Sequence, residues 1–225
     1  MSALNKIAYF QNRRDDVANQ ELAKELATAR NTERIKEIAE ALWNRDQNIQ
    51  SDCLKVLYEI GYLDPTLIAR YVDDFLKLLN SKNNRMVWGS MIALSTIAEL
   101  RADEIYRQHE TIQAVMEQGS VITMDNGVKT LAIVASKNEE YRQKLFPYLL
   151  KHLETCRLKE VPQHAEKTAV AVNANNKTEF IGVLEKRMAD MTDSQQTRVR
   201  RVIKEAKKRL DKVMLSSLQS NTGAT

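Results

Sequence analysis

The stretch NRMVWGSMIALSTIAEL, residues 84–100, decides the fold of this chain. Met91, Leu94, Ile97 and Ala98 follow one another at spacings that keep them on one face of a helix. Gly89, Ser90, Ala93 and Ala98 are small, so a neighbouring helix can come close. Just upstream, residues 72–79 (VDDFLKLL) form a second amphipathic helix, and the polar run 80–83 separates the two. An apolar helix, a polar turn and a second apolar helix make a helical hairpin.

The pattern recurs along the chain. CLKVLYEIG (53–61) lies 37 residues before SMIALSTIA (90–98), and GVKTLAIVA (127–135) lies 37 after it. AEKTAVAVN (165–173) follows 38 further on. In this register Leu57, Leu94, Leu131 and Ala169 form one column, and Ile60, Ile97, Val134 and Val172 the next. The preceding helices align as well: Phe75, Ile112 and Leu149, then Leu79, Met116 and Leu153. Several columns held over successive copies define an internal repeat.

The run FLKLLNSKNNRMVWGSMIALSTIAEL (75–100) resembles a HEAT repeat of the armadillo-type α-solenoids, and the resemblance covers roughly residues 17–210. It implies an all-α fold, a right-handed α-α superhelix of about five helical hairpins plus an N-terminal cap, with partners held on the concave face. The chain departs from the family pattern in one respect. The turn aspartate and inner-helix arginine that form a ladder between repeats are not regularly present, and Arg85 is an isolated candidate.

Composition agrees with an elongated helical array. Only 6 Gly and 3 Pro leave little room for β-turns, and a repeat array buries each hairpin only against its neighbours. Net charge is +4, but from residue 193 onward eight basic residues face three acidic ones. The basic balance therefore comes from the last helix, which suits either an acidic partner or a solvated cap. Cys53 and Cys156 sit in apolar patterns and form no CxxC, so both read as small hydrophobes. No apolar run approaches the ~18 residues of a membrane span, and the N-terminus has no signal pattern, so a cytoplasmic protein without membrane contact is expected.

In order, residues 1–30 read as an N-terminal cap and leading helix, with Ile7, Tyr9 and Phe10 covering the open end. Residues 31–212 read as one repeat array, with hairpins pairing 32–44 with 47–61, 65–79 with 84–100, 103–118 with 121–135, 139–156 with 162–173, and 178–191 with 194–210. Pro147 predicts a kink in the fourth outer helix. Residues 213–225 are expected to be a flexible tail.

Little in the sequence points to catalytic chemistry. His109, His152 and His164 form no HExxH, and none sits beside a cysteine or an acid in a familiar metal-ligand spacing. There is no phosphate-binding glycine loop and no GxSxG. No cofactor and no metal are expected. The residues worth weighing occupy equivalent slots of the inner helices. Lys55, Ile92, Lys129, Lys167 and Lys204 form one column, and Ser51, Trp88, Asp125 and Gln163 share another one turn earlier. Read as a concave surface, the candidates for partner binding are Lys55, Trp88, Ile92, Asp125, Lys129, Lys167, Arg200, Arg201 and Lys204. Trp43 reads as structural. The reading favoured is a non-enzymatic interaction module for an acidic protein or peptide. Nucleic acid bound through the lysine column is the alternative. The HEAT-like glycosylases that excise alkylated bases are a more distant one, because no WxxxD occurs on an inner helix.

Overall fold

The structure is a computed structural model that describes residues 2–221, with side chains through Lys208, and the described residues contain no strand. Their α-helices are α1 (Val17–Thr28), α2 (Thr32–Glu40), α3 (Gln47–Leu63), α4 (Val72–Leu78), α5 (Asn84–Ile97), α6 (Ala102–Arg107), α7 (His109–Gln118), α8 (Val121–Lys137), α9 (Glu139–Thr155), α10 (Val161–Thr168), α11 (Lys177–Met188) and α12 (Asp193–Asn221). The chain divides into two compact units, residues 1–130 and 131–225, and the division falls within α8.

Local chemistry sets many of the helix starts. The side chains of Asn31, Asp46, Asn83 and Asn138 accept backbone N–H groups of Arg34, Asn48, Arg85 and Tyr141 at 3.1, 2.8, 3.0 and 2.8 Å. Each such cap satisfies a donor that the helix itself leaves open and is worth about 1 kcal/mol. Thr192 and Gln195 cap the start of α12 reciprocally, Thr192 N–H donating to Gln195 Oε1 at 3.0 Å.

In the first unit α1 packs on α3, α3 on α5, and the outer helices α2 and α4 lie against α3 and α5. In the second, α10 packs on α12, and the outer helices α9 and α11 pack against each other. The columns read from the repeat are buried: Leu57, Leu94 and Leu131; Ile60, Ile97 and Val134; Phe75, Ile112 and Leu149; and Leu79, Met116 and Leu153. The fourth copy departs from the register. α10 stops at Thr168 and a 3-10 turn, Ala169–Ala171, replaces its last part, leaving Ala169 and Val172 only half-buried.

Two outer helices are also less regular than their sequence suggests. Residues 65–79 form two 3-10 turns, Pro65–Leu67 and Ala69–Tyr71, before α4 begins. Leu67, Ile68 and Ala69 are all buried. Three consecutive residues cannot share one α-helical face, and here the chain breaks at Ile68 between the two short turns, so the three do not belong to one regular helix. Residues 103–118 divide at Gln108, whose N–H closes a turn on Ile105 O at 3.0 Å. α9 continues across Pro147, which is exposed, and α12 runs to Asn221 rather than stopping near residue 210. The end of the tail expected over 213–225 lies outside the described residues.

In place of an aspartate–arginine ladder, arginines bind the carbonyls of neighbouring repeats. Arg101 Nε donates to Ala69 O at 3.2 Å, and Arg142 Nε to Ala171 O at 3.1 Å. Arg187 donates to Cys156 O at 2.5 Å and also to Glu154 O. Ala171 and Cys156 end or follow helical segments, where carbonyls have no partner within their own helix and a guanidinium is well placed to supply one. Arg85 takes no part in this set.

Candidate functional site

The first unit carries a groove of about 890 Å³ built from three segments. α3 contributes Asn48, Ser51, Asp52, Lys55 and Tyr58, which recur at spacings of three and four along one face. α5 contributes Arg85, Trp88 and Gly89. The N-terminal segment contributes Tyr9, Phe10 and residues 12–16.

Buried polar contacts fix the N-terminal segment. Asn19 is almost fully buried; its Oδ1 accepts the Ala8 N–H at 2.9 Å, and its Nδ2 donates to Asp52 Oδ1 at 3.0 Å. The other oxygen of Asp52 accepts the Tyr9 N–H at 2.7 Å. Glu37 accepts the Ala3 N–H at 2.8 Å and the Ser2 hydroxyl. With Ala3 and Ile7 buried, the segment is held against α2 and α3. It turns back at Asn12, in the left-handed region at φ 53°. Ile7 thus does what the sequence implies. Tyr9 and Phe10 do not: they are 42% and 50% exposed, stack edge-to-face at 5.1 Å and line the groove.

The groove has an aromatic floor and a small excess of cations. The Trp88 and Tyr58 rings lie 6.4 Å apart. Arg13 pairs with Asp15 at 3.0 Å, while Lys55 pairs with Glu59 at 2.8 Å and Asp16 at 3.3 Å. Asp52 is engaged by its two N–H donors. Arg14 and Arg85 are exposed and have no carboxylate partner among the described residues.

The residues expected from the repeat register behave differently from one another. Trp88 lines the groove and is half-buried. Lys55 lines it too, but its ammonium is consumed locally, with 14% of the side chain exposed and its Nζ 4.9 Å from the Tyr58 ring centre. Although burial opposes the charged form, hydrogen bonds with Glu59 and Tyr58 raise its pKa above the usual lysine range. Ile92 overturns its expected place on a binding surface: it is buried, because α5 packs against both α3 and α4. Lys129 is half-buried on α8, and burial lowers its pKa. Asp125 is half-buried on the same helix.

In the second unit Lys167 is half-buried on α10, and Arg201 is bound to Glu166 at 3.1 Å. Arg200 donates to Gln196 at 2.6 Å. Arg200 and Lys204 line a small groove of about 320 Å³ with Lys207 and Lys208. The Trp43 ring, read as structural, is more than half exposed, with its indole N–H on Asp74 at 3.2 Å.

Sequence reasoning missed a cluster in the second unit. His152, Cys156 and His164 place their donor atoms within 4.8 Å of one another. His152 and Cys156 stand four apart, one helical turn, and that spacing was the available signal. His164 joins them only through the turn between α9 and α10.

No family model matches this chain, and no curated protein matches it. Solved structures do. An engineered protein from a structural-genomics consortium is 17% identical, with 92% of this chain and 98% of that one covered at a TM-score of 0.64. A designed armadillo repeat protein in complex with the peptide (KR)4 is 16% identical, with 83% and 86% covered at 0.65. A computationally designed armadillo repeat protein for modular peptide recognition gives the same identity and coverage at 0.64. The fold is that of an armadillo-like repeat solenoid. Among the described residues no helix is long and apolar enough to cross a membrane.

Proposed function

We propose that the protein is a non-enzymatic binding module that holds an extended, acidic peptide segment in the groove between its N-terminal segment, α3 and α5. The observation that carries this reading is the groove's composition: Trp88 and Tyr58 side by side, Tyr9 and Phe10 exposed at its edge, and Arg14 and Arg85 as cations without carboxylate partners among the described residues. Its volume suits a few residues of chain. Aromatic side chains offer large contact area at low entropic cost, and an arginine fork matches a carboxylate bidentately. Two of the similar structures are designed armadillo proteins, one bound to a basic peptide and the other built for peptide recognition. The uncommitted charge in this groove is positive, which favours the opposite peptide sign.

Trp43 and Trp88 are the only tryptophans, so Trp43→Phe leaves Trp88 as the sole indole reporter. Titrating that variant with a short peptide alternating glutamate and leucine should change its emission saturably, and Arg85→Glu should abolish the change. A response to an alternating Lys-Arg peptide instead would reverse the assigned sign. A response to single-stranded oligonucleotide, with a steep loss of affinity in salt, would favour nucleic acid. Silence toward all three probes would remove the groove as the binding site.

A further inference from the structure

We propose that His152, Cys156 and His164 form a zinc site in the second unit, three protein ligands with water completing a tetrahedron. The geometry starts at the end of α9. His152 lies in its last turn, and Cys156, one turn on, caps the helix with its N–H on His152 O at 2.8 Å. A turn closed by Glu160 N–H on Arg157 O at 2.8 Å reverses the chain. α10 then begins at Val161 with Pro162 in its first turn, and His164 stands two residues after the proline. His152 Nε2 and His164 Nδ1 thereby come to 2.8 Å, with the ring centres 4.8 Å apart.

That contact has room for only one proton. A neutral imidazole carries one N–H, so at least one of the two facing nitrogens presents a lone pair. A divalent ion would take both facing nitrogens once the ring that carries the shared proton passes to its other tautomer, with that proton on its remaining nitrogen. All three donors lie within 4.8 Å of one another, whereas a tetrahedral zinc with N and S ligands spaces them about 3.3–3.6 Å apart. Side-chain rotation covers that difference. Nitrogen and sulfur donors select zinc over magnesium or calcium, which take oxygen ligands.

The surroundings fit a bound ion. His164 is fully buried and Cys156 half-buried, which holds the ligands in place and limits water. Burial pushes the Cys156 thiol up to about 11, with the Arg187 guanidinium opposing that rise. Zinc binds the thiolate, so uptake at neutral pH releases the thiol proton to the buffer. The ion would tie the end of α9 to the start of α10, where Arg187 already binds the Cys156 carbonyl.

The test uses the full chain, stripped with chelator, dialysed and titrated with Zn²⁺ and then with Co²⁺. The expected result is one ion per chain, a higher thermal midpoint with zinc, and a tetrahedral cobalt spectrum carrying a sulfur-to-cobalt charge-transfer band. Cys156→Ser should erase that band and weaken zinc at least about 100-fold, the upper end of what loss of a mere supporting hydrogen bond costs. His152→Gln should weaken it comparably, and His109→Gln should leave it unchanged. Because His164 is fully buried, the variants at the half-buried His152 and Cys156 carry the test, each with its metal-free helical spectrum compared to the parent. Binding that survives Cys156→Ser unchanged, an octahedral cobalt spectrum, or no ion retained after dialysis would each overturn the proposal.

Discussion

A Cβ at Gly89 would stand 2.6 Å from Cδ2 and 3.1 Å from Cγ of Leu54, so α3 and α5 pack as closely as they do because position 89 has no side chain. Leu54 is itself almost fully buried and has little space to yield. This approach sets the floor of the groove, since Tyr58 and Trp88 lie on the same two helices. Gly89→Ala should therefore destabilise by about 1–3 kcal/mol through overpacking. Gly182 supplies the contrast. It lies within α11, and a Cβ there would meet nothing within 4 Å. Gly182→Ala should stabilise by about 0.4–1 kcal/mol, because alanine has less freedom to lose on folding. Thermal melts of the two variants should move in opposite directions.

Leu94 is fully buried in the middle of α5. Leu94→Ala should cost about 2–5 kcal/mol, from lost transfer energy and the cavity left behind. The half-buried Ala169, its counterpart in the fourth copy, has only a methyl group to lose, and Ala169→Gly should act chiefly through the backbone. Urea denaturation checks both. A Leu94→Ala midpoint unchanged within error would mean the buried face of α5 has been misassigned.

The fold was legible because packing leaves a periodic trace. Phe75, Ile112 and Leu149 recur at a fixed interval, and all three are buried. The register was blind where consecutive residues turn inward together, as at Leu67, Ile68 and Ala69, since that needs a break at Ile68 between two short turns rather than one continuous face. The groove was half legible. Trp88 stood out, but Tyr9 and Phe10 read as a cap because nothing local reveals that Asp52 captures the Tyr9 N–H. The lysine column misled at Lys55. Glu59, one turn on, was visible in sequence, but Asp16 comes from a distant segment. The histidine pair was hidden for the same reason, across a turn whose path sequence spacing does not give.

Glu166 joins α10 to α12. Its carboxylate takes Arg198 through two bonds, at 2.7 and 3.2 Å, and Arg201 at 3.1 Å. The hydrogen bonds from Arg198, followed by Arg201 and opposed by burial, lower its pKa below the usual carboxylate range. A lowered folded pKa contributes stability that is present above the unfolded value and lost as pH falls through the folded one. Glu166→Gln should thus cost about 1 kcal/mol at neutral pH, discounted for exposure. The gap should begin to narrow below about pH 4.3 and close further in acid. High salt should narrow it too. Stability curves of parent and variant across pH measure the gap, and a gap independent of pH would place the effect in packing instead.

Lys55 and Arg85 should separate stability from binding. Lys55 is held by Glu59, Asp16 and the Tyr58 ring, whereas Arg85 is exposed and has no carboxylate partner among the described residues. Lys55→Met keeps most of the aliphatic stem and removes the charge. It should destabilise by about 1–3 kcal/mol, because Glu59 loses a charged hydrogen-bond partner. The folded pKa of Lys55 is raised, so this contribution is fully present below the unfolded value of about 10.4 and lost only as pH rises through the folded value. The stability gap should therefore stay flat from neutral to mildly alkaline pH and close only in strong alkali. Arg85→Gln should leave the melting curve within error and weaken the glutamate–leucine peptide instead, with a loss that shrinks as salt is added. If Lys55→Met impaired peptide binding as much as Arg85→Gln while leaving stability unchanged, Lys55 would be presenting its charge to the ligand, and the local pairing described for it would not persist in solution.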